Sequence, residues 1–372
     1  MEIKVPDHRE TDFIQIKFRL KNMPPKKAVK KKTKETKNDL ESIIAEINKQ
    51  HGENTIGFIN KMPTLAIERL SSGSLWLDYA LGGGWPLNRV AELFGNFSSG
   101  KTLISLKTIV EAQKRGLQCC FIDVEGTYDP RFAKKIGIDV NKLLISQSSV
   151  GEPTIDMICS LLDTGGVRVI VVDSVAALIP SSELTDPMQQ QTIGLHARMM
   201  SKAMRKITTL NKNTLVIFIN QQREMIGGFS NYATPMTTTG GRALGFYASV
   251  RIEVKRGEDI EANRYKIGQV IKFKIQKNKT SVPFRTGFIK YHYNKYAFDT
   301  LDEAISLGLI LDIIKQSGPA YYLGNQSYFG RAKLEEVLTQ DKSLFEQLKQ
   351  EILKNDAFQG IEKEKAVKSG KN

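Results

Sequence analysis

The sequence predicts an α/β fold in which a mostly parallel central sheet is flanked by helices. Between residues 90 and 220, strand-like runs alternate with helix-like stretches, the pattern of a parallel sheet covered on both faces. Residues 169–172 read VIVV, an apolar run without alternation that is typical of a strand buried on both sides. Residues 95–102 read GNFSSGKT and fit G-x-x-x-x-G-K-[ST], the pattern of a loop that wraps the phosphates of a nucleotide.

The composition excludes several classes of protein. With 372 residues, 41% hydrophobic and 25% charged, the chain is ordinary for a globular protein with one large domain and smaller appendages. The three cysteines, Cys119, Cys120 and Cys159, lack the spacing of metal ligands. No apolar stretch is as long as a membrane span, and the N-terminus has no apolar signal core. We therefore expect a protein of a reducing compartment without a membrane partner.

Half of the net charge of +14 lies in residues 1–37, which hold twelve Lys or Arg against five Asp or Glu. Within residues 24–37 the only large apolar side chain is Val29, so we expect this basic extension to be disordered. It is either a solubilising tail or an arm that binds a polyanion, and charge alone favours neither. Met23 precedes the basic run, so a start at Met1 or at Met23 stays open.

Residues 38–66 precede the main domain and are predicted to be helical at their start. Leu40, Ile43, Ile44 and Ile47 recur at helical spacing and form one apolar stripe. Such a stripe packs into a core or docks on a neighbouring subunit, and its place ahead of the main domain suits an oligomerisation segment. The main domain is predicted at residues 67–290.

The chemistry of a nucleotide site explains the spacing in the phosphate loop. Glycines let the backbone curl so that several N–H groups point at one anion, and the helix predicted at 103–115 adds its positive dipole end. Lys101 supplies a cation for the outer phosphates, and Thr102 supplies a hydroxyl for Mg²⁺. The predicted nucleotide-binding residues are Gly95, Asn96, Phe97, Ser98, Ser99, Gly100, Lys101 and Thr102.

Two carboxylates follow predicted parallel strands and should reach the same edge of the sheet. Asp173 ends the run at 169–172, where it can hold the water shell of Mg²⁺ or cap the segment that follows. Glu125 follows the strand predicted at 118–124, where it can polarise a water for attack on a γ-phosphate or remain a solvated loop acid.

Two polar stretches, 180–193 and 222–239, are predicted as loops beside this edge. Long loops inside a compact domain are either functional or disordered insertions. The second loop runs into TTTGG at 237–241, whose hydroxyls and unhindered N–H groups suit phosphate oxygens. On the helix predicted at 196–210, Arg198, Ser201 and Arg205 share one face and can line a phosphate track.

The C-terminal part is predicted to add strands at 246–256, 269–277 and 283–291, which would be antiparallel members of the sheet. Residues 291–355 then form a small α/β domain of short helices on either side of residues 321–324. The polar residues 356–372 are expected to be a mobile tail.

Several motifs, in order along the chain, resemble the bacterial RecA recombinase family. They are SSGSL at 71–75, FIDVE at 121–125 with DP at 129–130, VIVVDSVAAL at 169–178, GLHARMMSKAMRK at 194–206 and TTTGGRALGFYASVR at 237–251. The resemblance covers residues 38–355 and is of the bacterial or bacteriophage type. It implies a RecA-like ATPase core with an N-terminal helical segment and a small C-terminal domain.

The resemblance implies roles in the nucleotide site. Glu125 matches the catalytic carboxylate, and Gln221 matches the sensor of the γ-phosphate. Lys277 and Lys279 match lysines that reach the ATP of the adjacent subunit, although two alternating lysines alone are more typical of a solvated face.

Other positions match adenine contacts or depart from the family. Asp129 and Phe132 match residues that contact and stack on adenine. Asn96 and Phe97 stand where the bacterial pattern has Pro-Glu, and Gly126 stands where it has His. These departures bear on hydrolysis rate and nucleotide preference.

The resemblance also implies a set of residues that touch DNA. The matches to backbone contacts are Ser201, Arg205, Arg223, Gly240 and Gly241, and the matches to residues that wedge between bases are Ile193 and Ile226. Phe246 matches a position at the subunit junction, or is a core aromatic. Backbone contacts predict binding that tolerates any sequence and weakens with salt.

The implied function is ATP-dependent homologous recombination in DNA repair and the SOS response to DNA damage. The protein would form a helical filament on single-stranded DNA, pair it with homologous double-stranded DNA and exchange strands, with ATP and Mg²⁺ as cofactors and single-strand-binding and mediator proteins as further partners. A hexameric helicase or similar motor on the same fold is the alternative, and a DNA-coating protein without catalysis is another. The intact Lys101, Glu125 and Asp173 count against the last.

Overall fold

The apolar runs of the sequence form one large sheet in the computed structural model. The chain consists of two compact units, and the boundary between them lies after Ala66. The structure describes residues 35–53, 55–61, 67–185, 194–224 and 236–360, with the backbone alone at 35–39, 61, 223–224 and 236–237. The basic extension up to residue 34 therefore lies outside the described residues, as do residues 361–372 of the predicted tail.

In the first unit, the predicted apolar stripe lies on helix α1, Glu35–His51. Leu40 and Ile43 of this stripe are exposed. The Asn48 side chain accepts a hydrogen bond from the N–H of Ile56 (2.9 Å) and donates one to the Ile56 carbonyl (2.8 Å), which folds the following segment back onto the helix. An exposed apolar stripe is compatible with the predicted docking role, which stays a prediction.

The second unit carries the strands and the remaining helices. The strands are β1 (Arg69–Leu70), β2 (Trp85–Pro86), β3 (Val90–Gly95), β4 (Cys119–Asp123), β5 (Leu143–Ser146), β6 (Val169–Asp173), β7 (Leu215–Glu224), β8 (Met236–Thr238), β9 (Val250–Ala262), β10 (Tyr265–Asn278), β11 (Thr286–His292), β12 (Ala297–Phe298), β13 (Ile314–Ser317), β14 (Ala320–Leu323) and β15 (Gln326–Phe329). The helices are α2 (Leu75–Leu81), α3 (Lys101–Lys114), α4 (Pro130–Ile136), α5 (Gly151–Thr164), α6 (Ser181–Thr185), α7 (Leu195–Leu210), α8 (Ala243–Tyr247), α9 (Thr300–Ile310), α10 (Arg331–Gln340) and α11 (Lys342–Lys354).

The main sheet has ten strands in the order β12-β11-β10-β9-β3-β7-β6-β4-β5, with β8 paired to β7. Neighbours from β9 to β5 run parallel, whereas β10, β11 and β12 are added antiparallel. The predicted α/β class with a mostly parallel sheet is confirmed. The carboxyl ends of β3, β4, β6 and β7 meet at one edge, which is where open parallel sheets bind ligands.

Alternate residues of the central strands enter two separate cores. In β6, Val169 and Val171 belong to the core that also contains residues of α2, α3 and the C-terminal helices, whereas Ile170 and Val172 belong to the core that contains residues of α5 and α7. Both faces of the strand are therefore apolar, which explains why residues 169–172 show no alternation. Among the described residues, no helix has the length and apolar character to cross a membrane.

The structure corrects three predictions about local elements. Residues 246–247, predicted as strand, belong to helix α8, and β9 begins only at Val250. Part of the first predicted loop is helix α6. The second predicted loop begins and ends as strand, because Gln222, Arg223 and Glu224 of β7 pair with β8.

The boundaries of the C-terminal segment differ from their prediction. The proposed boundary at 290/291 falls inside β11, so the change from sheet to helices comes after β12. Residues 314–329, which include the predicted break at 321–324, form a three-stranded antiparallel sheet between α9 and α10. Phe358 is buried against Tyr79, with ring centroids 6.3 Å apart, so the predicted mobile tail cannot begin at residue 356.

Candidate functional site

The phosphate loop joins β3 to α3 at the ligand-binding edge of the sheet. Gly95 and Gly100 have φ values of 153° and 100°. A Cβ on Gly95 would lie 2.0 Å from the carbonyl oxygen of Val254, and one on Gly100 would lie 2.7 Å from Cδ1 of Ile271. Both positions therefore require glycine. Gly100 also precedes α3 without a capping side chain, so the N–H groups of the first turn can bind an anion.

Lys101 lies inside the curl of this loop and is only 8% exposed. Its Nζ donates hydrogen bonds to the carbonyl oxygen of Asn96 (2.7 Å), the carbonyl oxygen of Gly95 (3.1 Å) and Oγ of Ser99 (3.4 Å). Burial lowers the pKa of Lys101, and the nearby carboxylates of Asp173 and Glu125 oppose that shift. The ammonium group is thus held where phosphate oxygens would replace its carbonyl partners.

The structure brings together the two residues predicted to serve Mg²⁺. Oγ1 of Thr102, in the first turn of α3, donates a 2.6 Å hydrogen bond to Oδ2 of Asp173 at the end of β6. Burial raises the pKa of Asp173 to about 6, while the hydrogen bond from Thr102 lowers it. Within the described residues no group of three or more His, Cys, Asp or Glu side chains could hold a metal ion alone. A hydroxyl and one carboxylate fit a cation that also takes phosphate and water ligands.

Glu125 and Gln221 also meet at this edge. Oε1 of Glu125 accepts hydrogen bonds from Oγ of Ser174 (2.6 Å) and from Nε2 of Gln221 (3.4 Å). Glu125 follows β4 and is exposed, whereas Gln221 lies in β7. An exposed carboxylate held by two donors is able to orient a water molecule and accept its proton.

Sequence reasoning missed two residues that shape this part of the site. Ser174 is buried beside Asp173 and orients Glu125. Asp123 is buried, and its carboxylate accepts hydrogen bonds from the N–H groups of Thr127 and Tyr128, both at 3.0 Å, which fixes the turn that carries Glu125. An acid inside an apolar strand was the available signal for Asp123. No local signal marks Ser174.

The residues predicted to contact adenine lie on and before α4. Asp129 caps this helix by accepting a 2.8 Å hydrogen bond from the N–H of Arg131. Phe132 is partly exposed and its ring meets that of Tyr296 edge-on, with centroids 6.1 Å apart. Neither residue forms a described hydrogen bond to the phosphate loop.

Lys277 and Lys279, at and just beyond the end of β10, bond to other elements within this chain. Nζ of Lys277 donates to the carbonyl oxygens of Gly245 and Phe246 in α8, both at 2.8 Å. The N–H of Lys279 donates to the carbonyl oxygen of Ser249 (2.9 Å). The structure therefore does not join these lysines to the phosphate loop of their own chain by any described hydrogen bond.

Five of the predicted DNA-contacting residues lie on or beside α7. Gly240 and Gly241 have φ values of 88° and 75°, and they pack on this helix. A Cβ on Gly241 would lie 2.9 Å from Cβ of Ala197, and one on Gly240 would lie 3.3 Å from Cγ of Met200. The glycine pair is thus adjacent to the turn of α7 that carries Arg198 and Ser201.

The remaining predicted DNA contacts are described in part. Arg198 and Arg205 are exposed on α7, and Ser201 is half-buried. The backbone of Arg223 lies in β7, opposite Thr237 of β8. Ile193 and Ile226 lie outside the described residues.

Comparison with known proteins decides the family. Residues 38–297 match the family described as RecA N-terminal domain. The chain belongs to the RecA family. It is 45% identical to Protein RecA of Mycoplasma mycoides over 320 residues, which is 85% of this chain and 92% of that protein. It is 43% identical to Protein RecA of Mycoplasmopsis pulmonis over 321 residues, 85% and 94% of the two chains. With Protein RecA of Mesomycoplasma hyopneumoniae strain J the identity is 42% over 318 residues, 84% and 94%.

Membership of the RecA family makes this chain a homologous recombinase with the activity of a DNA-dependent ATPase. Nucleotide binding, DNA binding and filament formation follow with that membership, as do roles in recombination and repair. The helicase or motor alternative is not favoured, since the matches span most of the chain and most of each relative.

Proposed function

We propose that this recombinase binds ATP with Mg²⁺ at the phosphate loop and uses it to control its grip on single-stranded DNA. Lys101 would hold the outer phosphates, Thr102 would ligate Mg²⁺ and Asp173 would hold the water shell of that ion. Glu125 would activate the attacking water. The partly buried hydrogen bond from Thr102 to Asp173 supports this assignment.

The single observation that carries the proposal is the contact between Gln221 and Glu125. Gln221 lies in β7, three residues before the end of that strand, and its side chain meets the proposed catalytic carboxylate at 3.4 Å. The strand continues into the second predicted loop. A displacement of Gln221 caused by the γ-phosphate would therefore move the residues at the start of that loop. This gives the nucleotide a direct mechanical link to the DNA-contacting residues.

The DNA track would run along α7 and the glycine turn beside it. Arg198, Ser201 and Arg205 would contact phosphates, and Gly240 and Gly241 would offer unhindered N–H groups. The partners would be single-stranded DNA and a homologous duplex, with further copies of the chain in a helical filament and single-strand-binding and mediator proteins as accessory partners. We place this activity in a bacterial cytoplasm.

A three-strand exchange assay with Lys101→Ala tests the proposal. The variant loses the cation that holds the outer phosphates, so strand exchange should be abolished and the binding of single-stranded DNA should no longer respond to ATP. The wild-type protein is the control, and it should bind single-stranded DNA more tightly with ATP than with ADP or without nucleotide. Normal strand exchange by Lys101→Ala would refute the mechanism.

A further inference from the structure

A buried carboxylate outside the proposed nucleotide site has partners on both neighbouring strands. Glu92 of β3 is 0% exposed. Its Oε1 accepts a 2.9 Å hydrogen bond from Nδ2 of Asn220 in β7, and its Oε2 accepts a 2.5 Å hydrogen bond from Nε of Arg251 in β9. Both oxygens of a buried charge are thus used, which is the condition for keeping such a group inside a sheet.

Asn220 also forms hydrogen bonds at the two ends of the second predicted loop. Its Nδ2 also donates to the carbonyl oxygen of Thr239 (2.9 Å), and its Oδ1 accepts from the N–H of Gln221 (2.9 Å). The Asn220 side chain is fully buried, whereas its two partners lie closer to the surface. One amide therefore fixes both the residue proposed to sense the γ-phosphate and the residue that directly precedes Gly240.

Arg251 connects the same carboxylate to the face that carries α8. Its guanidinium lies 4.8 Å from the ring centroid of Phe94 and lines a cavity of about 480 Å³ together with Gln222, Thr238 and Gly241. A Cβ added to Gly245 of α8 would lie 3.3 Å from Cζ of Arg251, so the glycine leaves room for the guanidinium. Glu92, Asn220, Thr239 and Arg251 form what we call the loop-base network.

We propose that Glu92 is a positioning residue that transmits the nucleotide state sensed by Gln221 to the DNA-contacting turn at Gly240 and Gly241. The inference rests on the proposed function, since it takes Gln221 and the glycine turn in the roles given above. Glu92 touches neither nucleotide nor DNA. It holds Asn220 in the one orientation that bonds to Gln221 and Thr239 together, so a shift of Gln221 displaces Thr239 and the glycines that follow it.

Glu92→Gln tests the proposal, because the amide keeps the size of the side chain and cannot accept hydrogen bonds at both ends. The measured quantity is the affinity for a fluorescein-labelled oligothymidine with ATPγS, divided by the affinity with ADP. We call this ratio of affinities the gain. We expect the gain to fall by about tenfold, a typical size for coupling between two sites. The affinity for a fluorescent ADP analogue should stay near the wild-type value, whereas the melting temperature should fall, because Arg251 loses its charged partner. The kcat of DNA-stimulated hydrolysis should fall without a matching rise in the KM for ATP.

Glu253→Gln is the matched control. Glu253 is also a buried carboxylate on the same sheet, but it bonds to Lys255 (2.8 Å) and Gln276 (2.9 Å) rather than to β7. This variant should keep the wild-type gain. If the gain falls in both variants, the effect comes from removing any carboxylate from this part of the sheet. That outcome would overturn the proposal.

The outcomes separate this inference from the proposed function. If the wild-type protein itself shows no gain with ATPγS, the proposed function fails and the inference fails with it. If the wild-type protein shows the gain and Glu92→Gln keeps it, the inference alone is overturned. Should Glu92→Gln not fold, Arg251→Lys decides instead, since it keeps a cation beside the carboxylate and removes the Nε donor. An unchanged gain in Arg251→Lys then overturns the inference.

Discussion

Lys101 and Asp173 carry opposite charges and are both buried at the carboxyl edge of the sheet, and burial favours the neutral form of each. It lowers the pKa of Lys101 and raises that of Asp173 to about 6. A bound triphosphate and its cation would stabilise the charged forms of both groups. Nucleotide binding and ionisation at this site are therefore expected to reinforce each other.

Arg205 allows a test of the DNA track at a single residue. Arg205→Ala removes one proposed phosphate contact, so the slope of log affinity for single-stranded DNA against log salt should become shallower by about 0.7. DNA-stimulated ATP hydrolysis should fall in parallel. Fluorescence anisotropy at several salt concentrations measures the slope.

The control for this test is Arg264→Ala. Arg264 is exposed in the turn between β9 and β10, so the variant loses the same charge away from α7. It should keep the wild-type slope. Equal slopes for Arg205→Ala and the wild-type protein would remove Arg205 from the track.

The sequence predicts those site residues that belong to one local pattern. Lys101 and Thr102 follow from the spacing of a strand, a loop and a helix, and Asp173 follows from the end of a buried strand. Glu92 and Asn220 do not, because they are 128 positions apart and their relation arises only from the pairing of β3 with β7. A lone acid in an apolar run indicates that a partner exists without indicating which one.

At the scale of elements, hydrophobic periodicity predicts the central strands and their helices, because burial of one or two faces dictates the pattern. Periodicity and propensity do not predict helix α8. Phe246, Tyr247 and Val250 have high strand propensity, yet the segment is helical up to Tyr247. Packing decides the outcome, since Leu244 of α8 is fully buried in the core beside α7.

The contact between α2 and α9 makes stability depend on pH. Glu303 of α9 is buried, and it accepts hydrogen bonds from Oγ of Ser74 (2.6 Å) and from the N–H of Leu75 (2.8 Å) at the start of α2. Burial raises its pKa from 4.5 to about 8, against the effect of these two hydrogen bonds. The folded state thus binds a proton that the unfolded state releases at lower pH, so stability falls as the pH rises from about 4.5 through about 8.

Glu303→Gln should remove this dependence. Between pH 6 and pH 8 the free energy of unfolding of the wild-type protein should fall by about 2 kcal/mol more than that of the variant. Urea unfolding at the two pH values measures the difference. Glu336→Gln, at an exposed carboxylate paired with Lys333, should behave as the wild-type protein does. An identical pH dependence in Glu303→Gln and the wild-type protein would show that Glu303 does not hold the proton.

At the scale of the whole molecule, the residues proposed to act on the nucleotide form two groups that no described hydrogen bond connects. The phosphate loop, Glu125 and Gln221 meet at the carboxyl edge of the sheet, whereas Lys277 bonds to the carbonyls of α8. Phe246 of that helix is 70% exposed. If a second copy brings its lysines to the nucleotide of the first, hydrolysis depends on assembly, as it does with an arginine finger supplied in trans.

Mixing two inactive variants tests this division. Glu125→Gln keeps both lysines and loses the proposed catalytic carboxylate, whereas the double variant Lys277→Ala, Lys279→Ala keeps the carboxylate and loses the cations. In a random equimolar filament on single-stranded DNA, about one junction in four joins an intact carboxylate to intact lysines across a head-to-tail interface. ATP hydrolysis by the mixture should therefore exceed the sum of the rates measured for the two proteins separately. A rate equal to that sum would mean that the lysines act within their own chain or have no role in hydrolysis.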